Sequence, residues 1–430
     1  MMSTSNKKSA KDFSGGLTRL GAASLGAALT VVSASYALAQ TTPINAVTPQ
    51  PNASISSSRE RAHKMFQALT SVRVPIDDSR VIQMESLIAS GDQRSAAAVA
   101  TADPLFLDVM IRDLARKMST HDESVRAPMS DFVATFIGVV RDSDTTSAKQ
   151  LLTGNFTYRV DPNVATAQTI RSVELTDIIQ SNNHYNDITA KNLSPSAILV
   201  KVSPQKAMMA GMPVDHPDPS GLLTARATAE AHGVAGTNRR RVEYAMREFM
   251  CVSMSDWADA NGSDERVGQD VTRNPGGSVN LYLTTCKSCH SGMDGFRGAF
   301  AFSDFNNNAE TYTAGQVVGK MTRNATEYPQ GFRLTDNSLV NNAILPKNAD
   351  QFGWRSSTTG VGIGAFGKML ADSRGFSRCM VRRAFKSVCR RSPLVGEESL
   401  VRSLADQFET DGYHMRHMFE NVAIQQQCIQ

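Results

Sequence analysis

The sequence has no marked excess of either charge. In 430 residues, 45 Lys and Arg stand against 41 Asp and Glu, a formal +4. Without a polybasic run, a nucleic-acid-binding chain is not indicated. Six cysteines are too few for a disulfide-built scaffold of this length. The hydrolase signatures Gly-x-Ser-x-Gly and His-Glu-x-x-His are absent, and no Gly-rich phosphate loop or internal repeat is found. Extensive disorder is excluded too, since 41% of the residues are hydrophobic and only 20% are charged.

The longest apolar stretch lies at the start of the chain and predicts a secretory signal peptide over 1–39. Lys7, Lys8, Lys11 and Arg19 form its basic region, residues 20–32 are apolar and small, and Ala37-Leu38-Ala39 offers a cleavage site before Gln40. This apolar run is short for a membrane span, so no stable span is expected after cleavage. Removing four basic residues and Asp12 reduces the net charge to +1. A Pro/Ser/Thr/Asn-rich linker is expected over 40–58, and a periplasmic or secreted location follows.

From Arg59 onward the apolar residues recur at helical spacing, as in Ala62, Met65, Phe66 and Leu69. Further helices are expected over 79–91, 94–101, 104–118, 130–141 and 165–180. A Pro/Gly-rich break at 203–221 ends this N-terminal helical domain (59–220). The second domain (221–430) opens with an Arg-rich helix, passes through loop-rich sequence to about 360, and closes with helices over 376–390, 397–408 and 413–424. The fold class is mainly α.

One motif carries chemistry: Cys286-Lys287-Ser288-Cys289-His290, the C-x-x-C-H pattern of covalent haem attachment. Two thiols three residues apart on one helical turn reach the two vinyl groups of a single haem, and the adjacent His290 serves as proximal iron ligand. A redox dithiol would sit in a βαβ pattern, which is missing here. A zinc site would need a second pair of ligands within range, and His414 and His417 lie more than a hundred residues on. The reading is therefore one covalent haem c, held by Cys286, Cys289 and His290. Met321 is the first candidate for the distal ligand and Met369 the alternative. Phe296, Phe300, Phe302 and Phe305 are expected either to wall the haem or to form core. Asp304 to Asn308 half-matches a calcium loop but lacks its glycine and closing glutamate.

The other cysteines are Cys251, Cys379, Cys389 and Cys428. Export favours two disulfides, with free buried thiols as the alternative. Cys379 and Cys389 lie ten residues apart on one expected helix, about 15 Å by helix rise, too far to bridge each other. Each would pair with Cys251 or Cys428, and both assignments are open.

The haem segment with its continuation, Cys286-Lys-Ser-Cys289-His290-Ser-Gly-Met-Asp294-Gly-Phe, resembles exported planctomycete-type cytochrome c proteins. Further stretches share the resemblance: Gly221 to Arg226, Gly236-Thr-Asn-Arg239-Arg240 into Glu248-Phe-Met-Cys251, Asp270 to Gly277, and Phe376 to Arg391 with Leu404 to Phe408 and Gly412-Tyr413. The resemblance implies a mono-haem c-type cytochrome with a cytochrome c-like haem domain and leaves its redox partner protein unassigned. The function expected is electron transfer. The alternatives are a haem-dependent oxidoreductase such as a peroxidase, with His232, His414 or His417 as pocket groups, or an envelope binding module with an auxiliary haem. In that last case Arg239, Arg240 and Arg241 would dock an acidic partner or the propionates, unless they form a solvated face.

Overall fold

The computed structural model describes residues 57–120, 127–164, 170 and 175–429. The leader expected over 1–39 and nearly all of the linker over 40–58 lie outside them. So does most of 165–180, of which Leu175–Gln180 is helical. The protein is mainly helical, as expected.

Local chemistry sets the helix boundaries. In α1 (Ser58–Thr70), the Ser57 hydroxyl accepts from the Glu60 amide, and Ala62, Met65, Phe66 and Leu69 are buried. Asp78 and Asp92 cap α2 (Ser79–Ala89) and α3 (Gln93–Ala102) in the same way. A π-helical stretch over Phe106–Ile111 leads into α4 (Arg112–Thr120). In α5 (Asp131–Arg141), every residue from Phe132 to Val140 is buried, which makes it a central helix. Next come α6 (Arg226–His232) and α7 (Arg239–Phe249). The C-x-x-C-H motif lies across the start of α8 (Lys287–Arg297), directly after a π-helical turn over Tyr282–Cys286. Closing the chain are α9 (Gly362–Ala371), α10 (Arg374–Val388), α11 (Glu398–Thr410) and α12 (Met415–Ala423).

One apolar core joins Phe66, Phe136, Phe249, Phe296, Phe385 and Phe419, so it runs continuously across position 220. A smaller cluster holds Ala207, Phe302, Tyr312 and Met321.

Short strands appear in the region expected as helical and in the two expected as loop. The first pair, β1 (Thr157–Val160) and β2 (Leu199–Val202), is antiparallel. Within the Pro/Gly-rich break, β3 (Lys206–Met209) and β4 (Met212–Asp215) form a hairpin. Its turn is Ala210-Gly211, with φ of 50° and 82°, the conformation that matches strand twist in a two-residue hairpin. Pro213 sits on the edge strand, which tolerates its missing N–H. A second hairpin joins β5 (Ser303–Asn306) to β6 (Ala309–Tyr312) through Asn307 and Asn308, at φ 51° and 62°. The half-match to a calcium loop is this turn, and Asp304 pairs instead with Lys320 at 2.6 Å. The four strands order β4-β3-β6-β5, and β7 (Ser338–Val340) pairs separately with β8 (Thr359–Val361).

Two disulfides settle the pairing left open above: Cys251–Cys379 and Cys389–Cys428. The first ties the end of α7 to α10. The second ties the end of α10 to the C-terminal segment. Among the described residues, no helix is long and apolar enough to cross a membrane.

Candidate functional site

The helix that carries the motif is fixed by glycines. Gly292, Gly295 and Gly298 recur every third residue and let neighbours approach the backbone. A Cβ on Gly292 would lie 2.6 Å from the Trp257 ring; one on Gly295 would meet the Val340 carbonyl, and one on Gly298 the Ser338 carbonyl. Strand β7 thus lies directly on this face. Phe296 and Phe300 turn inward to Phe366, at 5.3 and 5.7 Å between ring centroids. Phe302 packs on Tyr312 in the smaller cluster, and Phe305 lies under Arg226. The four phenylalanines therefore build core and sheet contacts.

Cys286, Cys289 and His290 are half-buried, and both thiols are free while the other four cysteines are bridged. Cys286 rests against a small apolar cluster of Val267, Val271 and Tyr282. Just upstream, Val279, Leu281 and Leu283 expose apolar side chains.

Beneath His290 lies a buried charge network. Its Nδ1 is 3.1 Å from Oδ1 of Asp294, four residues on along α8. Asp294 is almost fully buried. Arg239 grips both its oxygens, Nε to Oδ1 at 2.6 Å and Nη2 to Oδ2 at 2.6 Å, and the Gly268 amide donates to Oδ2 at 2.9 Å. Arg239 also donates to both oxygens of Asp270, and Arg297 reaches Asp270 at 3.2 Å. Two cations and two anions balance, which is how such charges persist in a low-dielectric interior. Burial alone would raise the Asp294 carboxyl, but hydrogen bonds from Arg239 and His290 and the charges of Arg239 and Arg297 hold it well below the usual carboxylate range. Asp294 is therefore an ionised acceptor for the Nδ1–H of His290. In the neutral ring that contact leaves the lone pair on Nε2, the arrangement a metal-ligating histidine needs.

The donor set therefore fits a covalently attached haem: two free thiols one helical turn apart, an imidazole with one nitrogen held and the other available, and apolar surface beside them. Two arginines of the run are committed to buried partners, and Arg240 is exposed. Arg239 is spent on Asp294 and Asp270, and Arg241 is buried against Glu310 at 3.1 Å. The sequence offered one signal for the Asp294 contact, the i,i+4 spacing from His290 on a helix. Arg239 and Asp270 lie too far away in sequence to be paired with it by pattern. Residues of three separate stretches, around Arg239, Asp270 and Asp294, meet at this network.

Both distal ligand candidates are buried methionines. Met321 is buried in the smaller cluster with Phe302 and Tyr312, and Met369 lies within α9 in the main core. The candidate pocket histidines are engaged too. His232 stacks on Tyr244 at 4.0 Å. His414 and His417 stack on each other at 3.6 Å, and with Asp411 they offer ligand atoms within 4.8 Å of one another. This grouping is a helix cap: His414 Nδ1 accepts from the His417 amide, its Nε2 donates to Asp144, and His417 Nδ1 binds Asp411 at 2.6 Å. The His414 lone pair a metal would need is already used.

Comparison of the chain with protein-family models, with curated proteins and with solved structures finds no match.

Proposed function

We propose that this is a c-type haem protein, and within that class a mono-haem electron carrier working in the periplasm or outside the cell. The observation that carries the reading is the pair of free thiols at the start of α8 beside an imidazole whose Nδ1 is tied to a buried carboxylate. Cys286 and Cys289 would form the two thioether links, and His290 would bind the iron through Nε2. When bound, the haem supplies a one-electron iron couple. The chain's own contribution is to hold His290 in one tautomer, to fix α8 against β7 and Trp257, and to leave the three attachment residues half-exposed. A group attached there lies within reach of a docking partner, which suits outer-sphere transfer. Two disulfides support export to an oxidising compartment. The balanced charge gives no reason to expect a nucleic-acid partner.

The test is a visible spectrum of the exported, matured protein. A c-type α-band on reduction, unchanged by carbon monoxide, is the expected result and indicates two firm axial ligands. A haem spectrum altered by carbon monoxide would replace electron transfer with the oxidoreductase reading. No haem spectrum at all would end both.

A further inference from the structure

The Arg239–Asp294–His290 chain of hydrogen bonds does more than hold a helix together. We propose that Asp294 is a positioning residue that sets the electron-donating strength of His290, and that Arg239 limits how much negative charge Asp294 lends it. The inference rests on the haem reading above and names a determinant of its reduction potential.

Each hydrogen bond in the chain acts on the next. A carboxylate accepting the Nδ1 proton makes an imidazole a stronger donor at Nε2, more so than a neutral carbonyl would. A stronger donor favours the oxidised iron and lowers the potential. Here the carboxylate is buried and cannot be screened by water. It is also restrained. Both oxygens face the Arg239 guanidinium at 2.6 Å, and the Gly268 amide takes a further share at 2.9 Å. His290 holds the longest of the four bonds, at 3.1 Å. Electron density drawn toward Arg239 is density withheld from the imidazole. Asp270 faces the same guanidinium and, with it, Arg297, so the strength of the Arg239 grip is itself fixed by a buried partner. An arrangement serving only to anchor α8 would have no need to end on the ring nitrogen opposite the iron-binding one.

Substitutions at the two ends of the chain should therefore act in opposite directions. Asp294→Asn keeps the shape and an acceptor oxygen for Nδ1 but removes the charge, so the potential should rise. Arg239→Lys keeps a cation for Asp294 but loses the two-pronged grip, so the potential should fall. The measurement is a spectroelectrochemical titration of the haem-loaded full-length protein and both variants. Opposite shifts support the proposal. Haem-loaded variants with unchanged potentials overturn it, and so do two shifts of the same sign, which would indicate general loosening of the site. Should Asp294→Asn fail to accumulate, Arg239→Lys alone decides: a lower potential supports the proposal, and an unchanged or higher one overturns it. A parent protein without haem refutes the underlying functional reading, a result distinct from any of these.

Discussion

At the residue scale, Gly298 shows how little freedom the motif helix has. Its Cα faces the Ser338 carbonyl so closely that a methyl group has no room. Backbone on both sides must move to admit one, unlike a side-chain clash that a rotamer change relieves. Gly298→Ala should therefore cost about 1–3 kcal/mol, read as a lower denaturation midpoint with an unchanged slope. Gly276→Ala provides the control for space, since nothing lies near its Cβ position, though its φ of 58° adds backbone strain. A Gly298→Ala protein as stable as the parent would show that β7 does not bear on α8 as described. The C-x-x-C-H motif was legible at this scale because three chemically specific residues sit at fixed spacing. The role of Asp294 was only half legible: its four-residue offset from His290 could be read, but its burial depends on Arg239, 55 residues earlier.

At the scale of elements, the helices followed from their apolar period. The hairpins did not. Each of their strands is only four residues long, too short to show alternation. Their turn residues, Ala210-Gly211 and Asn307-Asn308, are the same types that mark a loop. Exclusion of a Cys379–Cys389 bridge did follow from helix rise, whereas the choice between the two remaining pairings depended on packing. Cys251–Cys379 closes a separation of 128 residues and fastens α7, which carries Arg239, to α10. Replacing both cysteines with Ala should lower stability by about 2–4 kcal/mol, through the larger freedom gained by the unfolded chain. Guanidinium unfolding under non-reducing conditions measures this. A midpoint equal to the parent's would show that the bond does not form in the mature protein.

At the scale of the whole molecule, a continuous core from Ala62 to Ala423 joins the helical region before position 220 to the motif-bearing region after it. Composition could not show this, because a Pro/Gly-rich segment reads as a boundary whether or not apolar faces close over it. Here β3 and β4 lie within the segment, and β3 pairs with β6 from the far side of the motif. The proposed function depends on Cys286 and Cys289 holding a haem. The most direct measurement is the intact mass of the exported protein after denaturation and reduction. The expected mass is that of the chain plus one haem, surviving reduction because thioethers do not reduce, and lost in Cys286→Ser/Cys289→Ser. A parent mass equal to the bare chain, with both thiols open to alkylation, would contradict it.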